Sequence, residues 1–89
     1  MHSRSREEIV ISILEAATFP VNKTSIMCNA RLSYKQLIWY FMFLQDKGLI
    51  ACDKKTRMWT VTGKGRDYMH ACRVMREIIE PDPIAPVLR

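Results

Sequence analysis

The sequence lacks long hydrophobic runs, which excludes one class of protein at once. No apolar stretch approaches the ~20 residues that a membrane-spanning helix needs. The basic residues near the amino terminus are followed directly by Glu7 and Glu8 rather than by an apolar segment, so no secretory signal peptide is expected. We therefore expect a cytoplasmic protein with no membrane partner.

Cysteine and histidine are also scarce, and their spacing argues against metal or redox chemistry. The three cysteines are widely separated, no Cys-x-x-Cys motif occurs, and the only histidines are His2 and His70. A zinc or redox site has no support in this pattern, and no cofactor is expected. We interpret Cys28, Cys52 and Cys72 as reduced thiols that mostly pack in the interior.

No set of residues suited to catalysis can be identified. The sequence offers neither a Cys/His nor a Ser/His/Asp arrangement, nor a close pair of carboxylates in an apolar setting. The Gly63-Lys64-Gly65 segment lacks the remainder of a phosphate-binding motif and its strand-turn-helix context. The protein is therefore not expected to be an enzyme.

The net charge of +5 is concentrated in one part of this small, single-domain chain of 89 residues. Residues 1–30 have no net charge, because three basic residues balance three acidic ones. Residues 31–57 contain six basic residues against two acidic ones, a net charge of +4. A concentrated basic face is typical of proteins that bind the phosphate backbone of nucleic acid.

The segment from Ser33 to Gly48 has the features of a capped helix. Ser33 is followed three residues later by Gln36, as in a capping box. Gly48 lies where the helix should end, in the left-handed conformation that glycine adopts at low cost. Three apolar residues recur at helical spacing and are expected to face the core: Leu37, Phe41 and Leu44.

The opposite side of this helix is unusually apolar. It carries Trp39 and Met42, flanked by Ile38 and Phe43, at positions where an exposed helix is normally polar. An exposed apolar surface of this kind usually marks a contact site. A C-terminal tail, a second subunit or another partner can cover it, and a helix buried on both sides is also compatible with the sequence.

Two helices are predicted before this segment. The first begins at Ser5 and ends before Pro20, and the second runs from an Asn22 cap to about Asn29. Three short or basic side chains are expected at the exposed start of the second helix: Lys23, Thr24 and Ser25. These residues suit a phosphate contact, although they suit the role of solvated capping residues equally well.

A basic hairpin and a final helix are predicted after it. Two β-prone runs, Leu49–Asp53 and Met58–Thr62, flank a tip that contains Lys54, Lys55 and Arg57. Such a tip can be merely solvated, but we favour contact with a minor groove or its flanking phosphates. The final helix, roughly Gly65 to Ile79, has an apolar stripe that includes Tyr68, Met69, Cys72, Met75 and Ile79.

This stripe allows two arrangements of the final helix. It can pack on the first helix of the same chain, or form a short seam with another subunit. We favour a homodimer. The proline-rich tail, residues 81–89, is expected to be extended.

Helix, turn, capped helix and basic hairpin, in this order, are typical of a winged helix-turn-helix. The predicted fold is therefore mainly α with a small β-hairpin, an α+β winged helix-turn-helix domain over residues 1–80 whose C-terminal helix covers residues 65–80. Residues 81–89 form the predicted tail.

Several segments resemble the archaeal winged helix-turn-helix transcriptional regulators. They are Ser5–Ile9, Lys23-Thr24, Ile26-Met27, Leu32–Leu37, Lys47–Ile50, and Thr62 with Lys64-Gly65. The resemblance covers about residues 3–79 and implies a DNA-binding fold that is often dimeric through the last helix. Some relatives with a long antiparallel coiled coil act as chromatin-associated DNA binders. This chain departs from the family pattern in its shorter last helix and in its apolar residues at Ile38, Trp39 and Met42.

The sequence favours a nucleoid-associated transcriptional regulator that binds double-stranded DNA. The expected DNA contacts are Lys23, Thr24, Ser25, Arg31, Ser33, Tyr34, Lys35, Gln36, Lys54, Lys55 and Arg57. Gln36 can pair with adenine through both ends of its amide, unless the capping box occupies that side chain. The alternative is a protein-interaction or chromatin-architectural module that uses Ile38, Trp39, Met42 and Phe43.

Overall fold

The computed structural model describes residues 4–79, which form four helices and one antiparallel hairpin. The elements are α1 (Arg6–Ala16), α2 (Lys23–Ala30), α3 (Tyr34–Asp46), β1 (Ile50–Asp53), β2 (Met58–Val61) and α4 (Gly63–Ile79). The predicted α+β winged helix with a C-terminal helix is confirmed. The predicted tail, residues 81–89, lies outside the described residues.

Side chains cap the predicted helix starts. Ser5 and Glu8 exchange capping-box bonds at the start of α1, at 3.1 and 2.8 Å. Asn22 accepts an amide hydrogen of α2 at 2.8 Å. Helix α4 begins two residues earlier than predicted, because the Thr62 hydroxyl accepts the Gly65 amide at 3.0 Å and donates to the Gly48 carbonyl at 2.7 Å.

Helices α2 and α3 end in the same way. Each is followed by a residue with a positive φ, 56° at Arg31 and 74° at Gly48. In both, the next amide donates to a carbonyl five positions earlier, at 3.0 Å after α2 and 2.9 Å after α3. This pattern satisfies carbonyl groups that a helix end leaves unpaired. The left-handed Gly48 is confirmed, whereas the turn before α3, which lacks glycine, uses an arginine.

One hydrophobic core joins α1, α2, α3 and the hairpin. Its largest fully buried side chains are Ile13, Leu14, Ile26, Leu37 and Leu44. The Phe41 and Trp59 rings, with centroids 4.4 Å apart, link α3 to the hairpin. Cys52 pairs with Trp59 in the hairpin register, and both pack on the core. Buried apolar area of this kind supplies most of the stability of a small domain.

The cysteines differ in their surroundings. All three are free, as predicted. Cys72 is buried and Cys52 is half-buried, but Cys28 is exposed on α2. The interpretation of the cysteines as packing residues is therefore wrong for Cys28.

The two halves of α4 have different environments. Gly65 is buried where a β-carbon would overlap the Leu49 carbonyl oxygen and the Val61 side chain, so α4 starts in close contact with the hairpin. Further along, Tyr68 and Met69 pack against the core. Beyond Cys72, the apolar side chains are exposed: Val74, Met75, Ile78 and Ile79.

Candidate nucleic-acid interface

The first turn of α3 projects from the body of the protein. Tyr34 is 63% exposed, and Ser33, Lys35 and Gln36 are exposed beside it. The buried side of α3 begins only at Leu37, which is fully buried. A polar first turn in front of an anchored helix is the arrangement with which helix-turn-helix proteins reach base edges in a major groove.

The capping box occupies part of this turn. Ser33 Oγ accepts the Gln36 amide hydrogen at 3.2 Å, and Gln36 Oε1 accepts the Ser33 amide hydrogen at 3.0 Å. The bidentate pairing considered for Gln36 needs that same oxygen and would break the capping box. Tyr34 and Lys35 are therefore the side chains of this turn whose polar groups are available to bases.

The start of α2 lies beside β2, close to the tip of the hairpin. Val21 exchanges two backbone hydrogen bonds with Trp59, at 3.1 and 2.7 Å, which extends the sheet by one bridge. Immediately after this bridge, Thr24 is exposed while Lys23 and Ser25 are half-buried. Of the three predicted contacts, Thr24 is thus the most accessible to a ligand.

The wing tip is a four-residue turn organised by Asp53. Its carboxylate accepts the Lys55 amide hydrogen at 2.9 Å, and its carbonyl accepts the Arg57 amide hydrogen at 2.6 Å. Lys54, Lys55 and Arg57 are exposed, and none of them forms an ion pair within residues 4–79. Three cations within four consecutive residues are therefore exposed to solvent, where phosphates can approach.

Arg4, which was not a predicted site residue, hydrogen-bonds to the turn between α2 and α3. Its guanidinium donates to the Ala30 carbonyl at 2.6 Å and to the Arg31 carbonyl at 3.0 Å. These bonds satisfy carbonyls at the end of α2 and hold the backbone of the exposed Arg31. The partners are 26 and 27 positions apart, so no local pattern could have revealed them.

The Trp39 surface, defined as Ile38, Trp39, Met42 and Phe43, lies on the outward side of α3. Trp39 is 47% exposed and Met42 is 67% exposed, so residues 4–79 do not bury α3 on both sides. The Trp39 and Phe43 rings stack at 5.6 Å with an interplanar angle of 8°. The surface is partly stabilised by its own aromatic contacts.

Two cations flank this aromatic stack. The Arg6 guanidinium lies 5.2 Å from the Trp39 ring centroid, and the Lys47 ammonium lies 5.9 Å from that of Phe43. Arg6 was not predicted to take part in any site. Beside the stack, a shallow groove is lined by Tyr34, Lys35, Ile38, Trp39 and Met42. The Trp39 surface therefore adjoins the candidate DNA-contacting turn.

A family model described as winged helix-turn-helix matches residues 3–80. The chain belongs to the winged helix-turn-helix family. The match contains every helix and strand described above. The search of curated proteins gave no match. Helix-turn-helix domains are typically non-enzymatic DNA-binding modules.

Three titratable side chains lie at the α1–α4 contact of this winged helix-turn-helix: Glu7, Tyr68 and Cys72. The Cys72 thiol donates to the Glu7 carboxylate at 3.3 Å. Burial and the contact with Cys72 raise the pKa of Tyr68 to about 12, and burial also raises the pKa of Cys72. Both side chains are therefore neutral near pH 7.

The described residues contain neither a cluster suited to a metal ion nor a helix suited to spanning a membrane. Within residues 4–79, no cluster of three His, Cys, Asp or Glu side chains could hold a metal ion. No helix in that range has the length and apolar character needed to cross a membrane.

Proposed function

We propose that this winged helix-turn-helix protein is a transcriptional regulator that binds duplex DNA. In this proposal the first turn of α3 enters the major groove and the wing tip contacts the flanking backbone or minor groove. The observation that carries it is the set of three exposed cations at the wing tip, none of which has an ion-pair partner within residues 4–79. A location on the nucleoid follows from this function.

The exposed side chains divide into two roles. Tyr34 and Lys35 are proposed to contact base edges, because their polar groups are not used by the capping box. The remaining candidates are proposed to contact phosphates. Such contacts fix the position of the protein on the duplex without reading the base sequence. These candidates are Lys23, Thr24, Ser25, Arg31, Ser33, Gln36, Lys54, Lys55 and Arg57.

Salt-dependent DNA titration tests the proposed mode of binding. Fluorescence anisotropy with a duplex of about 30 base pairs, between about 50 and 200 mM salt, should give affinity that falls steeply with salt. Replacing Lys54, Lys55 and Arg57 together by Ala should reduce the slope of log affinity against log salt by about 2 to 3, since each lost phosphate contact removes about 0.9.

A charge-matched variant controls for the loss of net charge. Arg66, Arg73 and Arg76 are exposed on α4, and their joint replacement by Ala removes the same three charges from another surface. The α4 variant should bind DNA with nearly the original slope. An equal loss of slope in both variants, or no duplex binding at about 50 mM salt, would contradict the proposed interface.

A second measurement separates a regulator from an architectural protein. A regulator should select particular sequences from a random duplex pool, and Tyr34→Ala with Lys35→Ala should weaken the selected site more than random DNA. A pool that yields no preference would instead favour a chromatin-architectural role, in which backbone contacts dominate.

The Trp39 surface supports a second candidate function, a protein-interaction module. Large apolar side chains such as Trp39 and Met42, left 47% and 67% exposed, are enriched at binding sites. In this case Trp39→Ala should abolish self-association or partner binding and leave duplex affinity unchanged. Loss of DNA binding alone would assign the surface to the DNA interface.

We also infer a homodimer that forms through the end of α4. Its support is the exposed apolar segment that contains Met75, Ile78 and Ile79, of which Ile78 is 76% exposed. Tyr68, Met69 and Cys72, also predicted for this contact, lie on the half of α4 that packs within the chain. Sedimentation should give a dimer, and Ile78→Lys with Ile79→Lys should give a monomer. A monomeric native chain would refute the inference.

A further inference from the structure

A separate pocket lies between α1, the end of α3 and the start of α4. Its volume is about 270 Å³, and it is lined by Val10, Phe43, Lys47, Leu49, Lys64 and Tyr68. Two of the apolar side chains, Val10 and Leu49, are buried, and the Phe43 and Tyr68 rings are half-buried. The lysines are exposed, so the pocket combines an apolar wall with charged groups that reach solvent.

The two lysines have no anionic partner within residues 4–79. Lys47 comes from the C-terminal side of α3, and its ammonium lies 5.9 Å from the ring centroid of Phe43, which forms part of the wall. Lys64 comes from the first turn of α4, and its Cδ lies near Gly48. Two elements thus bring separate positive charges to one apolar pocket, which favours an anion with an apolar body.

Tyr68, one of the lining residues, does not oppose an anion. Burial raises the pKa of Tyr68 to about 12, so this phenol is neutral at physiological pH. The pocket wall therefore presents no negative charge from Tyr68. The only formal charges among its six lining residues are those of Lys47 and Lys64.

We propose that this pocket binds a small organic monocarboxylate, with its apolar body against Phe43 and Val10 and its carboxylate between Lys47 and Lys64. The volume sets the size of the ligand, because it lies just below the ~300 Å³ at which ordinary ligand pockets begin. A single ring with one carboxylate fits this description. The site is separate from the proposed DNA contacts, so its occupancy can be measured without DNA.

Benzoate and its neutral isostere benzamide test the proposal directly. In an NMR titration of the full chain at constant ionic strength, benzoate should shift the amides of Val10, Leu49 and Tyr68 and reach saturation. Benzamide should bind about tenfold more weakly, because it lacks the charge that meets the lysines. Equal binding of the two compounds would overturn the proposal.

A lysine pair on different surfaces provides the matched control. Lys64→Gln should weaken benzoate binding about tenfold, whereas Lys54→Gln at the wing tip removes the same charge and should leave it unchanged. Both residues are exposed, so both variants should remain folded. Equal weakening by the two variants, or the absence of a saturable shift, would overturn the proposed site. Benzoate shifts confined to the wing, or to Ile38, Trp39 and Met42, would also overturn it.

Discussion

The two sides of α3 are both apolar, but they are held in different ways. On the inward side, Leu37 and Leu44 are fully buried in the core. On the outward side, Trp39 and Met42 keep about half or more of their surface in solvent. Apolar residues on a helix therefore do not by themselves define its buried face. What distinguishes the sides is the amount of surface removed from water.

The outward side compensates in part through local aromatic contacts. Trp39 stacks on Phe43, meets the edge of Tyr40 at 5.0 Å and lies beneath the Arg6 guanidinium. Aromatic pairs and cation–π contacts each contribute about 0.5–1.5 kcal/mol. These contacts order the Trp39 surface while leaving it accessible.

The largest expected effect comes from matched truncations on the two sides. Leu37→Ala should lower the free energy of unfolding by about 3 kcal/mol, because it leaves a cavity in the core. Met42→Ala should change it by less than about 0.5 kcal/mol. Urea unfolding followed by circular dichroism measures both. A similar cost for the two variants would mean that the outward side is buried in solution. It would contradict the difference in burial between the two sides of α3.

Truncation of the exposed tryptophan should have an intermediate effect. Trp39→Ala removes the stack on Phe43 and the contact with Arg6, and should cost about 1–2 kcal/mol of unfolding free energy. Trp39→Phe keeps a ring at the same position and should cost less. If the two variants were equally stable in thermal or urea unfolding, ring contacts would not stabilise this side.

The first turn of α3 is polar and is stabilised by its capping box. Ser33→Ala removes the acceptor that caps α3 and should cost about 1 kcal/mol. Ser25→Ala is a matched control, because the Ser25 hydroxyl has no hydrogen-bond partner within residues 4–79. Equilibrium unfolding of the two variants should therefore separate them. Equal stability would show that the capping bond contributes nothing.

The smallest expected effects concern the residues that follow α2 and α3. Gly48→Ala should destabilise the protein by about 1 kcal/mol, because a β-carbon disfavours a φ of 74°. Arg31→Gly should stabilise it by about 0.5 kcal/mol, since glycine accepts a φ of 56° without that cost. Thermal unfolding at matched salt gives the two signs. A destabilising Arg31→Gly would show that this side chain contributes more than its backbone strain costs.

Features that depend on near neighbours were predictable from the sequence. The caps at Ser5 and Ser33 use partners three positions away, and the left-handed Gly48 follows from its place at a helix end. The hairpin follows from two β-prone runs separated by a short basic segment. The wing tip was predictable for the same reason, because its three cations lie within four consecutive residues.

Features that depend on distant partners were not predictable. The bonds of Arg4 to the end of α2 and the position of Arg6 over Trp39 join residues separated by more than two dozen positions. Which part of the apolar stripe of α4 is buried depends on the elements that α4 packs against. Helix α4 has 17 residues and α1 has 11, so α4 is about 9 Å longer at 1.5 Å per residue. The apolar side chains of its last turns are exposed.

Four features of this protein can be read from the sequence alone: the order of the elements, their caps, the charged wing and the apolar character of both sides of α3. Each of these depends on residue types within a few positions of one another. Three features came from the tertiary structure alone: which apolar side chains lose contact with water, which groups Arg4 and Arg6 contact, and the pocket that Lys47 and Lys64 both line. Those outcomes depend on packing between elements, where a side chain's surroundings come from distant parts of the chain.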